Sequence, residues 1–95
     1  MATNLGVLHL ELRVPQANSL KDKRRSVKGF KDRIRHRFNV SVAEVGGLDS
    51  YRTAVLAVAM VSNDRRYIEG VLQQIVNAAA AHRDMILVEQ TIEWM

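Results

Sequence analysis

The sequence predicts a single α+β domain, residues 1–95, with element order βαββαβ. Three observations carry that prediction. An apolar stretch near the N-terminus alternates with period two. Two later stretches repeat their apolar residues at helical spacing, each behind a capping residue. Three further runs are β-branched or apolar, and no linker or low-complexity segment separates any of them. A chain of 95 residues has room for one such domain and not two.

The first strand runs from Leu5 to Val14. Leu8, Leu10, Leu12 and Val14 form one apolar face, with His9, Glu11 and Arg13 opposite. Pro15 ends it, because proline cannot donate to a ladder. Ser19 reads as a helix N-cap with Asp22 three residues on, a capping box with Asp in place of Glu. The helix extends from Leu20 to Arg37, with Leu20, Val27, Phe30 and Ile34 on its inner face. The second strand is placed over Asn39 to Val45, and Gly46-Gly47-Leu48-Asp49-Ser50 turns the chain. The third strand, Tyr51 to Val61, is apolar at nearly every position from Ala54 onward, the pattern of a central strand covered on both sides. Ser62-Asn63-Asp64 caps a second helix that carries Tyr67, Ile68, Val71, Leu72, Ile75, Val76 and Ala79 at helical spacing towards His82. A fourth strand over Met85 to Trp94 puts Ile86, Val88, Ile92 and Trp94 on one side and Leu87, Glu89, Thr91 and Glu93 on the other. Right-handed crossovers fold this order into a four-stranded antiparallel sheet with both helices on one face, the ferredoxin-like sandwich.

Composition excludes several classes of function. The chain has no cysteine, so disulfides and thiolate metal sites are ruled out. His9, His36 and His82 are too scattered for metal-ligand spacing and read as surface histidines. No basic n-region opens the chain and no apolar run approaches a membrane span, so a cytoplasmic protein with no membrane partner is expected. Glu89 and Glu93 read as solvated carboxylates and Asp64 as a cap. Acylphosphatases share this strand order but need a glycine-rich anion cradle after strand one. Here that loop is Pro15-Gln16-Ala17-Asn18-Ser19, and no phosphate-binding or nucleophile motif occurs elsewhere. The expectation is therefore a protein that is not an enzyme and takes no cofactor.

Charge is where the sequence speaks of function. Between Lys21 and Arg37 stand nine basic residues against Asp22 and Asp32, a local net of +7, while the rest of the chain sums to −3. Lys21, Arg24, Lys28, Lys31 and Arg35 recur at spacings of three and four along one flank of the helix. Like charges at that spacing repel, and a helix tuned for stability would intersperse signs. A polyanion-binding face has the opposite need, because every phosphate it neutralises releases counterions. Lys21, Arg24, Arg25, Lys28, Lys31 and Arg35 are the candidate phosphate contacts. Lys23 lies nearer the core side and is expected to snorkel outward.

Three segments resemble a known family. They are Ser19-Leu20-Lys21-Asp22-Lys23-Arg24-Arg25, Phe38-Asn39-Val40-Ser41-Val42-Ala43-Glu44-Val45 and Val61-Ser62-Asn63-Asp64. In this order they are similar to the YlxP-like bacterial family, a small conserved domain of unknown function. The resemblance implies a ferredoxin-like fold and genes that often stand beside ribosome-maturation and translation-initiation genes. The family pattern has a Trp near the start of the third strand, where this chain has Tyr51.

The functional expectation is thus a non-enzymatic accessory protein that associates with structured RNA, in ribosome assembly or translation, through the basic helix. Base stacking on the sheet is not expected, since its open face offers Val7, His9, Glu11 and Arg13 beside Leu87, Glu89, Thr91 and Glu93. The alternative is an oligomeric ligand- or protein-binding module whose basic helix docks on an acidic partner. The two-sided apolar strand from Val55 to Val61 also suggests a homodimer or higher oligomer through the sheet.

Overall fold

The structure is a computed structural model and describes residues 2–95. Its elements are β1 (Asn4–Arg13), α1 (Leu20–Arg37), β2 (Ser41–Gly46), β3 (Thr53–Ser62), α2 (Arg65–Ala80) and β4 (Ile86–Trp94). The four strands form one antiparallel sheet in the order β2-β3-β1-β4, and both helices pack on one face, so the fold is ferredoxin-like as the sequence predicts.

Local chemistry starts and stops each helix. The Ser19 hydroxyl accepts the backbone N–H of Asp22 at 3.1 Å. The Asp22 carboxylate reaches back one residue beyond the cap to accept the N–H of Asn18 at 3.0 Å. One N–H left without a partner by helix geometry, that of Asp22, is thereby satisfied, and so is the Asn18 N–H just before the cap. Asp64 caps α2 by accepting from Arg66 and Tyr67. The extended Phe38 closes α1 by donating its N–H to the Ile34 carbonyl.

The core lies between sheet and helices. Leu8, Leu10, Leu12, Leu56 and Val58 meet Val27, Phe30 and Ile34 of α1 and Ile68, Leu72 and Ile75 of α2, all buried. α1 packs against β2, whereas α2 lies against β1, β3 and β4. The basic helix therefore sits at the β2 edge of the molecule, and the carboxylates of β4 lie at the far edge.

The structure corrects four details. First, β4 is bulged: Glu11 pairs with Glu89 but Leu12 with Leu87. The extra residue, Val88, flips the phase of the strand start, because side chains alternate with period two. Leu87 therefore packs against the core and Ile86 is exposed, the reverse of the sequence pattern. Second, Tyr67 is 59% exposed and stands outside the apolar stripe of α2. Third, the β2–β3 connection runs through Tyr51 and Arg52, so Tyr51 precedes the strand with its ring under the Arg52 guanidinium. Fourth, His82 is half-buried, its ring edge-on to Phe30 at 5.8 Å. Burial, with a smaller contribution from Arg33 and against the pull of Asp84, holds the imidazole below its ordinary pKa of 6.5.

Candidate nucleic-acid interface

α1 exposes its cations because its inner face is already occupied. Viewed down the helix, Lys23, Val27, Phe30 and Ile34 point into the molecule and are buried. The residues one step round, Arg24, Lys28, Lys31 and Arg35, project towards the β2 edge. They line a shallow groove of about 360 Å³ together with Val27, Asp32 and Glu44. From Arg24 to Arg35 the row extends roughly 16 Å at ~1.5 Å per residue.

The four cations differ in what holds them. Lys28 donates to Asp32 at 2.6 Å, one turn further on. Arg35 lies 3.4 Å from the other Asp32 oxygen and gives its second terminal nitrogen to the Val42 carbonyl at 2.8 Å. That contact ties the helix to the edge strand and occupies a carbonyl on it, one way a sheet edge is kept from pairing with another chain. These cations hold Asp32 below the ordinary carboxylate pKa, with the Lys28 hydrogen bond the largest cause. Arg24 and Lys31 make no ion pair among the described residues.

Of the six predicted contacts, then, the fold gathers Arg24, Lys28, Lys31 and Arg35 in one groove. Lys21 is exposed on the same flank nearer the helix start. Arg25 points to the other side, where it shares a shallow cleft with Gln16, Asp22, Ser26 and Asp84. Two carboxylates there make it a poorer place for a phosphate.

Lys23 overturns the expectation that it snorkels. It is 1% exposed, and its ammonium is fully engaged: Glu44 Oε2 at 2.8 Å, the Gly47 carbonyl at 2.7 Å and the Thr53 carbonyl at 3.2 Å. An ammonium has three donors, and all three are used. Gly47 has φ of +69°, a left-handed conformation that glycine adopts without strain. Lys23 thus clamps the β2–β3 connection to α1 and fixes Glu44 at the floor of the groove. Sequence reasoning missed Glu44. The available signal was a lone carboxylate inside the β-branched run Val40 to Val45, at an inward-facing position shared with Val42.

Among the described residues no cluster of three or more His, Asp or Glu side chains could hold a metal ion. No helix there is long and apolar enough to cross a membrane.

Residues 5–92 match the family model described as protein of unknown function, DUF503. The chain belongs to that family. It is 33% identical over 72 residues to the uncharacterized protein YlxP of Bacillus subtilis (strain 168), covering 76% of this chain and 78% of that one. The resemblance carried by the three sequence segments is therefore correct. Among solved structures, the de novo designed protein Foldit4 is similar with a TM-score of 0.48 and 16% identity over 96% of both chains.

Proposed function

We propose that this protein is a non-enzymatic, cytoplasmic accessory protein that associates with structured RNA through the groove between α1 and β2. The observation that carries the reading is the convergence of Arg24, Lys28, Lys31 and Arg35 on one flank, opposed there by Asp32 and by a Glu44 already paired with Lys23. A roughly 16 Å row of cations matches a run of consecutive phosphates better than a single small anion. The groove offers no aromatic platform, so recognition proceeds through backbone and shape rather than base identity. A role in ribosome assembly or translation agrees with the gene neighbourhood that the family resemblance implies.

The test is a salt titration of binding to ribosomal RNA fragments beside an arbitrary duplex of equal length. Four phosphate contacts predict a log–log slope of about −3 to −4. The Arg24→Glu/Lys28→Glu/Lys31→Glu variant should lose binding while keeping the wild-type circular dichroism. Unchanged affinity in that folded variant removes the groove from the account. Absence of RNA binding at physiological salt, with retention of an acidic protein instead, would replace RNA by a protein partner.

A further inference from the structure

The sheet face turned away from the helices carries a pattern that complements itself. Cross-strand register arranges it in rows. One row runs Ser41, Ala59, Val7, Glu93, the next Ala43, Ala57, His9, Thr91. The third contains Val55, Glu11 and Glu89, the last Thr53, Arg13 and Ile86. Towards β2 the face is small and apolar, with Ala43, Ala57 and Ala59 on it and Val61 61% exposed. Towards β4 it is charged, and Glu11 and Glu89 stand directly across from one another. Like charges so placed are destabilising. Among the described residues, neither carboxylate nor Arg13 has an ion-pair partner.

We infer that this face binds a second copy of the chain. The two-fold axis lies in the plane between the sheets and crosses the strands between the His9 and Glu11 rows. Such an axis reverses the order of rows and keeps each strand over its counterpart. His9 of one copy then faces Glu11 of the other, and Arg13 lies over Val7 with Glu93 one strand away. Val55 meets Ala57, and Glu89 meets Thr91. Every contact occurs twice, as in any isologous interface. The imidazole and guanidinium supply donors to carboxylates that have none within the chain. A two-fold along the strands would instead lay Val55 over Glu11 and bury the carboxylate against a methyl surface, which is costly.

Area sets the strength of the pairing. Four strands ~4.8 Å apart, over rows spanning roughly 25 Å, present about 500–600 Å² a side. The total of about 1,000–1,200 Å² is at the lower bound for specific association, so the dimer forms reversibly rather than permanently. It is a four-layer sandwich with helices outside. Because each β2 overlies the other β2, both α1–β2 grooves open along one side.

Sedimentation equilibrium of the full chain tests the inference without reference to RNA. The mass should rise with concentration towards twice 10.7 kDa. His9→Glu sets carboxylate against carboxylate across the axis and should weaken the dimer by at least about tenfold. Adding Glu11→Lys restores opposite charges at the same contact and should recover the dimer, a rescue that only this register predicts. Ala57→Arg, on the exposed side of β3, should give a monomer with unchanged circular dichroism. A wild-type chain that stays monomeric at submillimolar concentration overturns the inference. So does a dimer indifferent to Ala57→Arg, or a charge swap that fails to rescue. Protection of this face by RNA rather than by a second copy would overturn it too, while leaving the α1 groove to be judged by its own variant.

Discussion

Replacing Lys23 with methionine keeps an unbranched side chain, shorter by the one terminal atom, and removes its charge and three donors. The buried ammonium is held by Glu44, the Gly47 carbonyl and the Thr53 carbonyl at 2.8, 2.7 and 3.2 Å. Breaking a buried pair by deleting one partner costs about 3–5 kcal/mol, because the other charge is left without compensation. Glu44 retains 13% side-chain exposure, so water relieves part of that cost and the lower value, about 3 kcal/mol, is expected. In a domain of this size the midpoint of thermal unfolding should fall by roughly 12–24 °C. Urea unfolding followed by circular dichroism measures the loss directly, with the slope m unchanged if only stability has moved. Combining Lys23→Met with Glu44→Gln should cost less than the two single changes together, by about 1 kcal/mol or more, since the stranded carboxylate is gone. The double variant stays below wild type, because two carbonyls still lack their donor. A Lys23→Met cost under about 1 kcal/mol, or strict additivity with Glu44→Gln, would refute the clamp. The folded fraction of the Lys23→Met/Glu44→Gln double variant, which leaves no unpaired carboxylate in the groove, should bind RNA like wild type, which separates a structural lysine from a phosphate contact.

Asp32→Asn frees Lys28 and Arg35 from their shared carboxylate, so RNA affinity should rise severalfold and the salt dependence steepen; a fall in affinity would show that Asp32 positions these cations rather than competing for them. Neutral His82 Nδ1 accepts the Asp84 N–H at 3.1 Å, and its pKa is depressed on folding. The unfolded chain therefore takes up the proton first. The stability His82 contributes is complete above about pH 6.5 and is lost as pH falls through the folded pKa. Denaturation midpoints at successive pH values should show a slope below pH 6.5 that His82→Asn reduces. Gly6→Ala would set a methyl 2.9 Å from Ile68 Cγ2 and 3.0 Å from Trp94 Cζ3, where α2 crosses β1. It should destabilise by about 1–3 kcal/mol in chemical denaturation, and a neutral result would mean that α2 sits further from the sheet.

The sequence by itself determined whatever depends on neighbours along the chain. Alternation in Leu8 to Val14 and helical spacing in Val27, Phe30 and Ile34 encode which face each element buries, and Ser19 and Asp64 encode where the helices begin. A covered sheet with six such elements has few allowed topologies, so the ferredoxin-like arrangement followed from order and handedness alone. The concentration of cations in α1 was equally legible, because charge is a property of composition. Only tertiary structure decided how those cations are divided. Lys23 and Glu44 lie 21 positions apart, and no local periodicity joins them. Their pairing buried the ammonium of a core-side lysine that was expected to snorkel outward, and left Arg24, Lys28, Lys31 and Arg35 to line the groove. The bulge at Val88 is a second such case, since one unpaired residue reverses a strand's phase without altering its hydrophobicity. Register, like long-range ion pairing, is settled between strands and not within them, which is why the halves of the sheet face could be assigned only once the strands were side by side.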